Sequence, residues 1–307
     1  MKNSKNKIAR HATPQVGPNG TAPVAELAQK FLEAAPTLGQ HRSLAPMLYS
    51  SSRLVAQIGH VPIGQVTTAQ VLQLLTNHQS RSQKFHLTNL KRFFRWCQAE
   101  GYLPANKPIP TAPIHLKIPA PAKLEILSSS ELRRLLSGTK DVEILLWLAL
   151  AAFAGLRTAE IQNLSWESIE PGKRIYLRPE LSMAGKGRRV AMLPVLDAWL
   201  QPFYGSRGLV VKSRTVKRRL ALLIRAHGLV LRPNMLRHAC CAYRYRATGD
   251  SANICLEMGL YPALVNRHHL LPVTKADALE YFSLTPKAVG VQDWPALVSE
   301  YQLKGDK

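Results

Sequence analysis

Acidic side chains are scarce in this 307-residue chain: 19 Asp and Glu stand against 41 Lys and Arg, a formal charge of +22. That imbalance exceeds what solubility requires and points to a polyanionic partner, of which nucleic acid is the commonest. Cysteine is equally sparse. The four at 97, 240, 241 and 255 form no CxxC pair, which excludes a disulfide framework and paired zinc ligands, so they are expected as reduced, mostly buried thiols. Long apolar runs are missing too. Ile144 to Leu156 is too short to cross a bilayer and reads as a buried helix, so no membrane partner is expected. The basic N-terminus MKNSKNKIARH has no apolar run behind it to make a signal peptide, and a cytoplasmic, nucleoid-associated protein is expected. No Gly-rich phosphate loop argues for ATP, and no internal repeat divides the chain.

What is present is helical periodicity. Residues 1–21 lack it and read as a flexible basic arm. Apolar residues then recur at helical spacing from Val24 to Leu32 and from Ser43 to Ile58, and a capping-type start at Thr67 leads into a third helix. The fourth candidate runs from Ser82 to Glu100, with Leu87, Leu90, Phe93, Phe94 and Cys97 on one face. Lys84, His86, Lys91, Arg92 and Arg95 are assigned to the opposite face, as a basic stripe for a phosphate backbone. This four-helix domain covers 22–104, and a Pro-rich stretch, 105–123, reads as a linker.

A second domain is expected over 124–290, with residues 291–307 as a C-terminal tail. Ser128 to Glu131 opens a capped helix, and Ile144 to Gly155 a buried one. The strand-like runs Ile175-Tyr176-Leu177 and Val190-Ala191-Met192-Leu193 flank Ala184-Gly185-Lys186-Gly187, predicting a small β-ribbon with a basic turn. The fold class is therefore mainly α with a small β-ribbon, in two domains.

Two clusters carry the chemistry. Arg157 follows the buried helix through Gly155, and Glu160 stands three residues on; a guanidinium anchored beside a dry core can hold a phosphate through two hydrogen bonds. In Asn234-Met235-Leu236-Arg237-His238, an Arg and a His open an otherwise apolar helix, where backbone N–H groups favour an anion.

In this order, with the basic hairpin between them, the clusters resemble the tyrosine recombinase or phage integrase family. Arg246-Ala247-Thr248-Gly249-Asp250, Glu257-Met258-Gly259 and Arg267-His268-His269 through Glu280-Tyr281-Phe282 extend the resemblance. The four-helix half, with Phe93-Phe94-Arg95-Trp96, is similar to the family's SAM-like core-binding domain. The resemblance implies a C-shaped clamp around duplex DNA, working as a homo-oligomer or beside an intact partner recombinase. It also implies metal-independent, cofactor-free chemistry in which a tyrosine attacks the scissile phosphate.

Carried over by position, Arg157 and Arg237 match the two arginines, Glu160 the acid after the first and His238 the histidine after the second. The histidine three residues before Arg237 is Asn234 here, which cannot exchange protons near neutral pH. The hairpin lysine falls on Lys186 if the Gly-Lys-Gly turn sets the register, and on Ala184 if counted back from Arg188 and Arg189. Arg188 and Arg189 themselves are expected as DNA contacts. Leu260 stands where the family has histidine or asparagine, and His269 stands at the tyrosine position. The resemblance thus implies a DNA-binding relative impaired in cleavage; the alternative is an active enzyme whose nucleophile is a displaced Tyr261 or Tyr281, or His269 itself.

Overall fold

The structure, a computed structural model, describes residues 20–34, 44–76, 80–116, 125–181, 187–262, 265, 271–291 and 293–305. The chain divides into two compact units, 1–121 and 122–307. Most of the arm expected over 1–21, and the end of the expected linker, lie outside the described residues.

The first unit holds α1 (Val24–Ala34), α2 (Leu44–Ile58), α3 (Thr68–Thr76) and α4 (Ser80–Ala99). Each helix turns one apolar stripe inward: Val24, Leu27, Ala28 and Phe31 of α1 meet Leu90, Phe93, Phe94 and Cys97 of α4 in one core. Phe31 packs edge-on against Phe93 at 5.6 Å and tilts against Trp96 at 5.4 Å.

Two expectations are corrected in this unit. His86 is buried, not part of the basic stripe, and its Nδ1 lies 2.9 Å from Ser50 Oγ, which also accepts from Asn89 Nδ2 at 3.2 Å. The reason is periodicity: His86 precedes Leu90 by four residues and Phe93 by seven, so it shares their face. Lys84, Lys91 and Arg95 do align along the outer face, with Arg92 exposed at its flank. The Pro-rich stretch is not a free linker over its first part either. Thr111 and Ile114 are buried, Ile109 and Leu116 pack on the same core, and Gln98 Nε2 donates to Lys107 O at 2.8 Å.

The second unit is built around α6 (Val142–Phe153), in which every residue is buried. A helix apolar on all sides can only be central, and α8 (Pro194–Leu200) and α10 (Met235–Thr248) pack against it. Before it, α5 (Ser129–Ser137) starts in a capping box: Ser128 Oγ accepts from Glu131 N–H, and Glu131 Oε2 accepts from Ser128 N–H at 2.8 Å. The short helix α7 (Thr158–Gln162) follows α6.

The expected two-stranded ribbon has a third strand. β1 (Ile169–Glu170), β2 (Arg174–Leu177) and β3 (Arg188–Ala191) form an antiparallel sheet in that order. β3 begins two residues earlier than predicted, pairing Arg188 with Leu177 and Val190 with Ile175. Met192 and Leu193 leave the sheet because Pro194 opens α8. The remaining elements are α9 (Val216–Ala226), α11 (Ser251–Met258), α12 (Lys275–Tyr281) and α13 (Trp294–Gly305).

Residues 291–307, expected as a tail, contain α13, which is anchored in the core. Trp294 meets Trp199 edge-on at 5.3 Å, and Trp294 Nε1 donates to Trp199 O at 3.1 Å. Tyr301 Oη reaches Glu143 Oε1 at 3.2 Å. Two buried indoles make this segment part of the core. Among the described residues no helix is long and apolar enough to cross a membrane.

The turn out of α6 depends on Gly155. Its φ is +61°, and a Cβ there would lie 2.5 Å from Met258 Cε and 3.3 Å from Cys240 Sγ. Gly155→Ala therefore combines left-handed strain with overpacking and should lower unfolding free energy by about 2–4 kcal/mol. Urea unfolding checks this: the midpoint should fall with little change in slope.

Candidate nucleic-acid interface

Three guanidiniums converge on the C-terminal end of α11. After Met258 the chain turns through Gly259 at φ +57°, and the last carbonyls of the helix have no partners within it. The last two, and that of Gly259 itself, are each taken by a different arginine. Glu257 O accepts from Arg188 Nε at 2.7 Å, Met258 O from Arg237 Nη2, and Gly259 O from Arg157 Nη2 at 3.0 Å. The negative end of the helix dipole thus helps hold positive charge in a largely dry site.

Each arginine reaches this point from a different element. Arg157 precedes α7, and its N–H donates to Glu160 Oε2 at 2.7 Å while its Nη1 donates to Glu160 Oε1 at 2.9 Å. Arg237 lies in the first turn of α10, and its Nη1 donates to Gly155 O. Arg188 opens β3, and its Nη2 donates to Glu160 Oε2 at 2.7 Å. Glu160 is the one carboxylate touching these guanidiniums among the described residues. The neighbouring Glu257 carboxylate is engaged instead by Arg244 Nη1 at 2.7 Å and Ala191 N–H at 3.1 Å.

The electrostatics favour a bound anion. Arg157 and Arg188 share one carboxylate and Arg237 is bonded to main-chain carbonyls alone, and burial followed by the charge of Arg157 holds the Arg237 pKa down to about 10, still protonated at neutral pH. Arg157 faces outward: its side chain is 22% exposed, and among the described residues two of its five N–H donors are engaged. An outward guanidinium backed by uncompensated positive charge suits a phosphate diester. Among the described residues no cluster suited to a metal ion occurs.

The structure brings Arg157, Glu160, Arg237 and His238 to one region, His238 half-buried in the first turn of α10. Asn234 is exposed just before that turn at φ +64°. Leu260 is half-buried against Cys240, Cys241, Ile254, Met258 and Val265. Lys186, Ala184 and His269 lie outside the described residues.

Arg188 is a correction: expected as a DNA contact, it is buried, while Arg189 is exposed. The signal was available, because strand alternation puts Arg188 on the face of Val190. Tyr281 is also not presented as a nucleophile. It is fully buried, stacked on Tyr243 at 4.1 Å, with its hydroxyl donating to Ala152 O at 3.2 Å, and burial pushes its pKa well above the ordinary tyrosine value. Tyr261, by contrast, is 76% exposed, two residues beyond Gly259. A further basic surface went unread in the sequence: Lys212, Arg214, Lys217 and Arg218 are exposed at the start of α9, and the run KSRTVKRR was its signal.

No family model matches the chain, and no curated protein matches it in sequence. Solved structures do. A lambda integrase tetramer bound to a Holliday junction superposes with a TM-score of 0.66 at 16% identity, over 84% of this chain and 83% of that one. A lambda integrase(75–356) dimer bound to a COC′ core site gives 0.65 at 16% identity, over 79% and 94%. The Tn1549 transposon integrase (residues 82–397), in complex with circular intermediate DNA, gives 0.57 at 13% identity, over 84% and 98%. The chain has the tyrosine recombinase/integrase fold. Within that fold the arginine site is assembled from three separated stretches of sequence: the turn after α6, β3 and the start of α10.

Glu160 gives this site a pH signature. Burial opposes its ionisation, but the Arg188 hydrogen bond, the Arg157 N–H and both positive charges outweigh it and hold the carboxyl below its ordinary value of 4.5. Its stabilising contribution is therefore complete above that value and is lost as pH falls through the lower folded one. Urea unfolding at a series of pH values should show wild type losing stability on acidification more steeply than Glu160→Gln.

Proposed function

We propose that this chain is a duplex DNA-binding protein of the recombinase type whose arginine site grips a backbone phosphate. We propose further that it is impaired in strand cleavage because His269 stands where the family resemblance places the nucleophilic tyrosine. The observation that carries the reading is the convergence of Arg157, Arg188 and Arg237 on one helix end, where the first two share a single carboxylate. The similar structures point the same way: lambda integrase is bound to its core site as a dimer and to a Holliday junction as a tetramer. By that analogy this chain assembles on DNA, with copies of itself or with an intact recombinase. Lys84, Lys91, Arg92, Arg95 and Arg189, with the exposed cations of α9, supply the sequence-independent grip.

Arg157 and Arg237 neutralise the phosphate oxygens, and His238 and Asn234 supply polar groups from the start of α10. With Leu260 no donor is offered at that position. The exposure of Tyr261 favours one second reading over Tyr281. In it the Tyr261 phenol oxygen attacks phosphorus, the bond to the 5′ oxygen breaks, a 3′-phosphotyrosyl link forms, and the phenolic proton ends on the departing 5′ oxygen.

Two measurements test these readings. Duplex affinity should fall steeply with salt, the logarithmic slope being about −0.9 per phosphate contacted; a slope near zero overturns the DNA-binding reading. A nicked suicide duplex carrying sequence that flanks the chain's own gene should bind without forming a covalent adduct. An adduct lost in Tyr261→Phe would overturn the impaired reading in favour of the second, and one lost only in His269→Ala would make the histidine the nucleophile.

A further inference from the structure

We propose that Arg188 is a positioning residue for Arg157, which acts by occupying Glu160 and tying it to the end of α11, and which makes no contact with DNA itself. The proposal rests on the reading of Arg157 as a phosphate contact. Glu160 is 1% exposed and has two oxygens to place. Oε1 takes Arg157 Nη1, while Oε2 is shared between Arg157 N–H and Arg188 Nη2. The second guanidinium largely cancels the charge of Glu160, so Arg157 keeps a net positive charge and uncommitted donors at the surface.

Without Arg188, Glu160 would be a buried carboxylate with one cation in reach. Its most favourable response is to pair with both Nη atoms of Arg157, the strong bidentate geometry of this ion pair. That would draw Arg157 away from Gly259 O and from any phosphate outside. Arg188 thus prevents an intramolecular carboxylate from competing with the DNA.

The placement of Arg188 fits this role. Among the described residues its guanidinium donates only to Glu160 Oε2 and Glu257 O. It also fits closely over Gly259, where a Cβ would stand 3.4 Å from Arg188 Cδ and 3.7 Å from Cζ. β3 is held to α11 by two bonds to one residue, Arg188 Nε to Glu257 O and Ala191 N–H to Glu257 Oε2. The position of Glu160 is therefore referred to the same helix end that receives Arg157.

The test is a set of salt titrations of duplex DNA binding with the full chain. In Arg157→Ala the affinity should fall about tenfold and the slope magnitude by about one, as for loss of one phosphate contact. Arg188→Met should do the same, and the double variant should be no weaker than Arg157→Ala alone, because both remove one contact. Adding Glu160→Gln to Arg188→Met should restore the slope, since the competing carboxylate is gone; a merely structural role for Arg188 would not produce that rescue. Arg188→Lys, which keeps a cation beside Glu160, should retain the wild-type slope, and Arg188→Gln, which also removes the charge, takes the place of the methionine variant should that fail to fold.

A lowered slope in Arg157→Ala with a wild-type slope in Arg188→Met overturns the positioning role alone, as does Arg188→Lys binding with the lowered slope. An unchanged slope in Arg157→Ala overturns the phosphate reading, and the positioning role with it.

Discussion

The end of helix α11 is the constraint on which the second unit depends. A helix that stops inside a protein leaves carbonyls that must find donors, and here the left-handed turn at Gly259 lets main-chain N–H groups reach Cys255 O and Leu256 O but not the carbonyls of Glu257, Met258 and Gly259. Three arginines from three elements answer that need, one carbonyl each. The turn after α6, strand β3 and the start of α10 are drawn to one point because each contributes a donor there. The same bonds desolvate a surplus of positive charge, and the helix dipole and Glu160 offset only part of it. A phosphate would supply the rest, so the interactions that hold the unit together also prepare the site.

The arginines and the nucleophile position consequently stand under different physical constraints. Arg157 and Arg237 are tied to main-chain carbonyls of Gly259, Gly155 and Met258, and replacing either leaves buried acceptors unsatisfied. A tyrosine that does no more than attack a phosphate has no comparable structural bond to lose. The tyrosines that do belong to the core are recognisable by the same criterion: Tyr281 is stacked and hydrogen-bonded within it, whereas Tyr261 is exposed. The main-chain bonds of Arg157 and Arg237 are thus ones that folding alone requires, whatever chemistry the site performs.

The two units meet their need for stability in different ways. The first packs aromatic rings, with Phe31, Phe93 and Trp96 at the crossing of α1 and α4, and adds the Pro-rich segment through Thr111 and Ile114. The second surrounds one wholly buried helix, apolar but for Glu143, and α13 completes that core with Trp294 against Trp199. Segments that composition marks as linker and tail therefore belong to the folded units, because a few large apolar residues outweigh their polar neighbours.

The four helices of the first unit, the helix α5 with its capping box at Ser128, the buried character of α6 and the pairing of Arg157 with Glu160 were legible in the sequence, because each depends on residues a few positions apart. Most of the basic stripe on α4 was legible for the same reason, and the error at His86 was one of helical phase that counting from Leu90 corrects. The third strand was too short to leave a period. What the sequence determined by itself was the local structure, the excess of positive charge and the identity of the site arginines. Strand alternation puts Arg188 on the buried face, but only the tertiary structure decided that it meets Glu160 there, that Tyr281 is closed off while Tyr261 is open, and that three carbonyls at the end of α11 anchor the site. Those outcomes depend on contacts between residues some 30 to 130 positions apart, which no local pattern of residues encodes.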